Sequence, residues 1–197
     1  MTTDEGQREA TTPRTARSER AILDATRELL AEGAVRQLTV ERVAARSGVA
    51  KTTIYRRWRS KNDLALAVLL DIIENEIATA DLGDTREEAV FLVDAAVAML
   101  GSTPLGRIMQ GLVSDLATDP QLARAFRARV VSARFAEVSQ LVERGIARGD
   151  LRPDTDHELM CELLFGPVYY RLLLSGSPLD ERLAERTVTA VLRAFAP

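Results

Sequence analysis

The chain has 197 residues, 46% of them hydrophobic and 28% charged, which suits one domain or a small module beside a larger one and excludes a disordered chain. No stretch approaches the roughly 18 consecutive apolar residues of a membrane span, and the single cysteine, Cys161, excludes an internal disulfide or a cysteine-rich zinc site; the expectation is a soluble, cytoplasmic protein with no membrane partner. The net charge of −3 divides into +5 over residues 1–62 and −8 over the remainder, so a polyanion is expected to meet the N-terminal part and to be repelled by the rest.

Residues 1–17 read as a flexible basic tail carrying Arg8, Arg14 and the helix breaker Pro13. From Ser18 onward Ile22, Ala25 and Leu29 recur at the spacing of one buried helical face, and Gly33 supplies a stop. Thr39 is placed to cap a short helix, VERVAARS; Gly48 follows, then a second short helix, AKTTIYRRW. The sequence S-K-N-D at 60–63 has the form of a capping box before the apolar run LALAVLLDII, predicting a helix that continues to about Leu82. Further helices are predicted at 85–100, opened by Thr85 and Glu88; at 104–117, capped by Thr103; at 120–148, opened by Asp119 and Pro120; at 156–174; and at 178–195, capped by Ser177. No strand pattern of useful length is present. The expected fold class is all-α with about nine helices, divided into a helix-turn-helix module over 18–62 and a larger helical domain over 63–197.

A helix-turn-helix needs small and apolar residues where its helices cross. Ala44 is small at the crossing, Gly48 accepts a positive φ, and Val43, Val49, Ile54 and Trp58 supply the apolar seam. This leaves Lys51, Thr52, Thr53 and Tyr55 on the leading turn of the second helix, where base edges of a major groove are read, with Arg56, Arg57 and Arg59 adding charge along the duplex. Lys61 falls in the first turn of the next helix, where a cation opposes the macrodipole but an arriving phosphate is held by ammonium and free N–H groups together. The competing reading of Lys61 is a solvated basic face. Ala50 lacks a capping side chain, which predicts a frayed recognition helix in the free protein.

The run LTVERVAARSGVAKTTIYRRWRSKNDL resembles the DNA-binding signature of TetR-type bacterial transcriptional regulators, over roughly residues 18–70. The likeness rests on Leu38-Thr39, Val43-Ala44, Gly48-Val49, Thr53, Tyr55, Ser60-Lys61 and Leu64. It implies an all-helical homodimer with a three-helix DNA head and a larger C-terminal domain that binds a small effector and dimerises. Position by position, it implies phosphate contacts at Thr39, Thr53 and Lys61, base reading at Lys51 and Thr52, and a groove-edge role for Tyr55. Glu41 departs from the pattern, standing where some members carry a base-reading arginine, which moves any reading from that helix to Arg42 or Arg46.

Residues 159–174 are apolar nearly all round, and the last helix carries one stripe of Ala184, Val188, Val191 and Phe195. Leu164, Val168, Leu172, Val188, Val191 and Phe195 are therefore candidates for a four-helix dimer interface, the alternative being packing within one chain. Gly166-Pro167 is expected to kink its helix and open space. Candidate pocket walls are Leu69, Met99, Leu100, Ile108, Met109, Leu112, Phe126, Phe135, Phe165 and Tyr169, each equally suited to core packing. Few buried charges are anticipated there, so the expected effector is apolar or amphipathic. His157 and Cys161 share a helical face but lack a third partner for catalysis or metal; no cofactor, metal or enzymatic activity is expected. The leading expectation is a repressor that leaves a palindromic double-stranded DNA operator when its effector binds. The alternatives are an effector-independent regulator or activator and, last, an enzyme built on the C-terminal pocket.

Overall fold

The computed structural model describes residues 13–33, 35–76 and 81–197. Among these residues the chain forms nine continuous helices and no strand. The N-terminal segment, called the head below, contains α1 (Pro13–Glu32), a 3₁₀ turn (Val35–Gln37), α2 (Val40–Ser47) and α3 (Lys51–Arg57), followed by α4 (Lys61–Glu76). Beyond it lie α5 (Thr85–Ser102) and α6 (Leu105–Asp115). Helix α7 runs over 120–148 as Pro120–Phe126, a π turn at Arg127–Val131 and Ser132–Arg148; α8 is His157–Tyr170 with a terminal π turn at Arg171–Ser175; α9 is Arg182–Phe195.

Helix α1 begins at Pro13, not at Ser18, because proline lacks only an N–H that would be unpartnered in a first turn; residues 1–12 of the expected tail lie outside the described residues. Helix α4 is described to Glu76, and Leu82 is non-helical and exposed, since Gly83 (φ 78°) and Asp84 already turn the chain into α5. The cap of α5 is Asp84, whose carboxylate accepts from the Glu87 N–H at 2.8 Å, so Thr85 and Glu88 are free for another purpose. Ser177 does not cap α9 either. The Arg171 guanidinium donates to the Pro178 carbonyl at 2.6 Å, holding that segment extended, and Asp180 instead accepts from the Arg182 N–H at 3.0 Å.

Two adjoining cores form from these elements. In the head, Ile22, Leu30, Leu38, Val43, Ile54 and Trp58 bury the crossing of α1, α2 and α3. In the larger domain, Leu69, Val93, Ile108, Leu112, Leu141, Leu164, Val168 and Val188 close the interior of the bundle. Helices α5 and α6 turn by 88° at Thr103-Pro104, where the Thr103 hydroxyl donates to the Met99 carbonyl and accepts from the Leu105 N–H.

One ionic cluster joins α5 to α7. Glu88, 1% exposed, accepts from Arg144 at 2.7 and 3.0 Å and from Arg148 at 2.9 Å, while Thr85 donates to Asp150 at 2.8 Å. Removing one partner of a buried pair strands the other charges. Because both arginines keep some access to water, Glu88→Ala is expected to lower the unfolding free energy by about 3 kcal/mol in urea denaturation at neutral pH, the low end of the roughly 3–5 kcal/mol for breaking a buried pair.

Candidate DNA-reading surface and effector pocket

Thr39, extended at φ −135°, accepts from the Arg42 N–H at 3.2 Å and opens α2; Gly48, at φ 68°, closes it by donating to the Ala44 carbonyl. Ala50 heads α3 with no side-chain cap. Ile54 is fully buried and Trp58 nearly so, and this anchoring turns Lys51, Thr52, Tyr55 and Arg56 outward, with Thr53 half-buried. Ser60 and Asp63 form the expected reciprocal cap at the start of α4, each accepting from the other's N–H at 3.1 and 3.2 Å. Lys61, half-buried, reaches back so that its Nζ donates to the Arg36 carbonyl at 3.3 Å.

The arginines divide differently from expectation. Arg46 is bound to Glu28 at 3.0 Å and Glu32 at 2.9 Å, and Arg57 to Glu19 at 2.7 Å, so both turn towards α1 rather than outward along a duplex. Arg42 likewise donates to the Gln37 carbonyl and pairs with Glu32. Arg56 and Arg59 are exposed without an acidic partner among the described residues. Lys51 pairs with Glu41 at 2.9 Å, and that hydrogen bond holds the Glu41 carboxyl below its ordinary range. The carboxylate that breaks the sequence pattern therefore sits beside the lysine that leads α3.

In the larger domain a cavity of about 380 Å³ opens between α6, α7 and α8. Of the candidate wall residues, Met109, Phe126, Phe165 and Tyr169 line it, together with Val130 and Arg134 from α7. Met99 and Leu100 line a small void of about 20 Å³ behind it, which shares Met109, Val130, Arg134 and Tyr169 with the outer space. Leu69, Ile108 and Leu112 are almost wholly buried in the core and line neither, while Phe135 is 41% exposed on the far side of α7. Residue types that suit a pocket wall suit a core equally, and only the packing separates them.

Arg134 and Glu137 form an ion pair of 2.6 Å, with side chains 14% and 15% exposed, and the Arg134 Cζ lies 4.4 Å from the Phe165 ring centre. The apolar expectation for this region missed them. Their signal lay in the stripe Val130, Arg134, Glu137, Leu141, where two charges occupy inward positions. Burial raises Glu137 against the opposing pull of Arg134, and raises the Tyr169 phenol.

The expected dimer residues Leu164, Val168, Val188, Val191 and Phe195 are buried within the chain, and Leu172 is half-buried, its Cδ1 close to Gly106. Helix α8 is apolar on two faces, and periodicity alone does not say which is inward. The outward face carries Leu159, Leu163, Gly166, Tyr170 and Leu174. His157 and Cys161 are half-buried on α8, and no group of three or more metal-ligating side chains converges among the described residues.

Residues 22–68 match the model for bacterial regulatory proteins of the tetR family, and residues 79–191 match that for the tetracyclin repressor-like C-terminal domain. The chain belongs to the TetR family. Among its relatives, the uncharacterized HTH-type transcriptional regulator YdeS of Bacillus subtilis is 30% identical over 169 residues, covering 86% of this chain and 85% of the relative. AqdR of Rhodococcus erythropolis, an HTH-type transcriptional regulator, is 26% identical over 193 residues, covering 98% and 92%. The crystal structure of the TetR family transcription regulator SCO0332 superposes with a TM-score of 0.78 at 36% identity, covering 91% of this chain and 99% of that one. This TetR-family chain is thus a DNA-binding transcriptional regulator. No single described helix is long and apolar enough to cross a membrane.

The uncapped start of α3 has a direct test. Ala50→Ser supplies an acceptor for the Thr52 or Thr53 N–H and is expected to stabilise the recognition helix by about 1 kcal/mol. Amide exchange at Thr52 and Thr53 in the DNA-free protein should slow by about fivefold.

Proposed function

We propose that the protein is a homodimeric repressor that leaves a palindromic DNA operator when a small, largely apolar effector enters the cavity between α6, α7 and α8. The observation that carries this reading is the position of α6. On one face, Arg107 donates to the Ala31 carbonyl at 2.8 Å, Gly111 lies against Val35, and Asp115 accepts from Asn62 at 3.0 Å. These residues are spaced by four and all three reach the DNA head or its junction with α4. Met109 and Val113 of the same helix line the cavity. A ligand that displaces α6 changes the seat of the head directly. A hundredfold loss of operator affinity needs a differential affinity of about 2.7 kcal/mol between the two head positions.

In this reading Lys51 and Thr52 read base edges, Thr39, Thr53 and Lys61 meet phosphates, Tyr55 lies at the groove edge, and Arg56 and Arg59 add charge along the duplex. Arg46 and Arg57 hold α2 and α3 on α1. The second copy docks on the outward stripe of α8, where Gly166 has no neighbouring atom within 4 Å of a built Cβ and so allows close approach. Family members act as dimers, and five apolar or small residues on one exposed face suit an isologous contact. A half-site spacing of about 34–36 Å is expected for the paired recognition helices.

Selection of operator from random DNA, repeated with candidate ligands, tests the reading. A palindromic consensus released by an apolar compound supports it, and sequence-independent binding unaffected by ligand refutes it. On the selected site, Lys51→Ala should alter base preference. Lys61→Ala should weaken all sites alike and flatten the dependence of log K on log salt by about one unit.

Leu163→Glu should convert the dimer to monomer in sedimentation experiments and lower operator affinity by at least about tenfold, while helical content stays unchanged. Retention of the dimer would move the interface elsewhere.

A further inference from the structure

Arg134 lines the cavity and Glu137 lines the small void behind it, and their pairing restricts what can enter. Arg134 projects from α7 into the wall shared by the outer cavity and the inner void, where its Nη1 is 2.6 Å from Glu137 and its guanidinium covers the Phe165 ring. Such a contact length is that of an ionised, charge-assisted pair. The rest of the lining is largely apolar and includes Met109, Phe126 and Val130. Glu162 also lines the cavity, but it is exposed at the mouth and screened by water. The inner wall therefore presents no unmatched charge.

An anionic group brought to Arg134 would meet the Glu137 carboxylate at the same guanidinium, and the displaced carboxylate would be left in an apolar wall. A cationic group brought to Glu137 would displace Arg134 with the same result. An uncharged group that donates or accepts one hydrogen bond leaves the pair closed. It can use the remaining guanidinium N–H groups or the Tyr169 phenol, which burial keeps protonated.

We infer that the effector is electrically neutral: an elongated apolar or aromatic molecule with an uncharged hydrogen-bonding head, selected by the closed Arg134–Glu137 pair against anions and cations of the same shape. The inference rests on the cavity being the effector site. Glu137 is then a specificity-determining residue, because it cancels the Arg134 cation, which would otherwise recruit carboxylates, sulfonates and phosphates.

The test uses two fluorescent probes with the same aromatic skeleton, uncharged N-phenyl-1-naphthylamine and anionic 8-anilinonaphthalene-1-sulfonate, titrated into the full-length protein. The wild type should bind the uncharged probe about tenfold or more tightly than the anion. Glu137→Gln, which leaves Arg134 unmatched, should reverse the order. Removing both charges in Arg134→Gln with Glu137→Gln should restore the preference for the uncharged probe, separating charge from shape. Val131→Trp, at the partly exposed rim, should weaken both probes and so locate them in this cavity. Tighter binding of the anion by the wild type, with Val131→Trp weakening it, overturns the charge inference but leaves the cavity as the ligand site. Failure of both probes to bind, or binding indifferent to Val131→Trp, overturns the cavity reading and the inference with it.

Discussion

The contact between Gly111 and Val35 is the constraint around which the two parts of this molecule are arranged. A Cβ on residue 111 would lie 2.7 and 2.8 Å from the Val35 side chain, so only glycine lets α6 rest on the turn before α2 at this depth. That close seat brings Arg107 within reach of the end of α1 and Asp115 within reach of Asn62, the second residue of α4. Removing the seat would leave the DNA head attached to the bundle chiefly through α4 and its packing against α1. With it, the head is held at three points by a helix whose opposite side borders a cavity. Packed contacts of this kind have discrete arrangements rather than a continuum, which allows a small shift at Met109 or Val113 to become a change in head position.

Charge in the head follows a similar division of labour. Residues 1–62 carry a formal +5, yet Arg42, Arg46 and Arg57 are directed at acids on α1 and Lys51 at Glu41. Exposed pairs of this type are worth about 0–1 kcal/mol each, so they orient side chains without fixing them strongly. The result is a surface on which Arg56, at the far end of α3, and Arg59, just beyond it, have no acidic partner among the described residues, while the leading lysine of α3 is neutralised by Glu41. A phosphate is poorly suited to displacing Glu41, which repels it. A guanine edge, an uncharged acceptor, is better suited. Under the proposed function, the departure at Glu41 biases Lys51 towards bases and away from backbone.

The head was legible from its sequence because a helix-turn-helix is dictated locally: Thr39 must cap, Gly48 must take positive φ, and Val43, Ile54 and Trp58 must point inward, and each of these requirements names a residue type. The Ser60–Asp63 cap was readable for the same reason. Thr85 and Glu88 matched that pattern equally well, but Asp84 captured the cap and left Glu88 to two arginines more than fifty residues away. No local rule contains Arg144 or Arg148. The effector domain was harder for a general reason: α8 is apolar on two sides, and whether Leu164 or Leu163 faces the interior depends on where α9 and α5 lie. Leu69, Ile108 and Leu112 were indistinguishable in type from Met109 and Phe165, although the first three seal the core and the last two border empty space.

That space itself has a backbone origin. The π turn at Arg127–Val131 closes with a hydrogen bond from the Ser132 N–H to the Arg127 carbonyl, and the one at Arg171–Ser175 with a bond from the Gly176 N–H to the Arg171 carbonyl. Each adds a residue to a helical turn and rotates the side chains beyond it relative to those before. On α7 the first π turn supplies Val130 and Val131 to the cavity wall and sets the phase at which Arg134 and Glu137 point inward; on α8 the second supplies Leu173. A regular α-helix over 120–148 would carry Phe126 and Arg134 at a different relative angle, and the apolar ring that Arg134 now covers would lose its partner. The same local irregularity thus shapes the site and brings in the ion pair from which its preference for uncharged ligands is inferred.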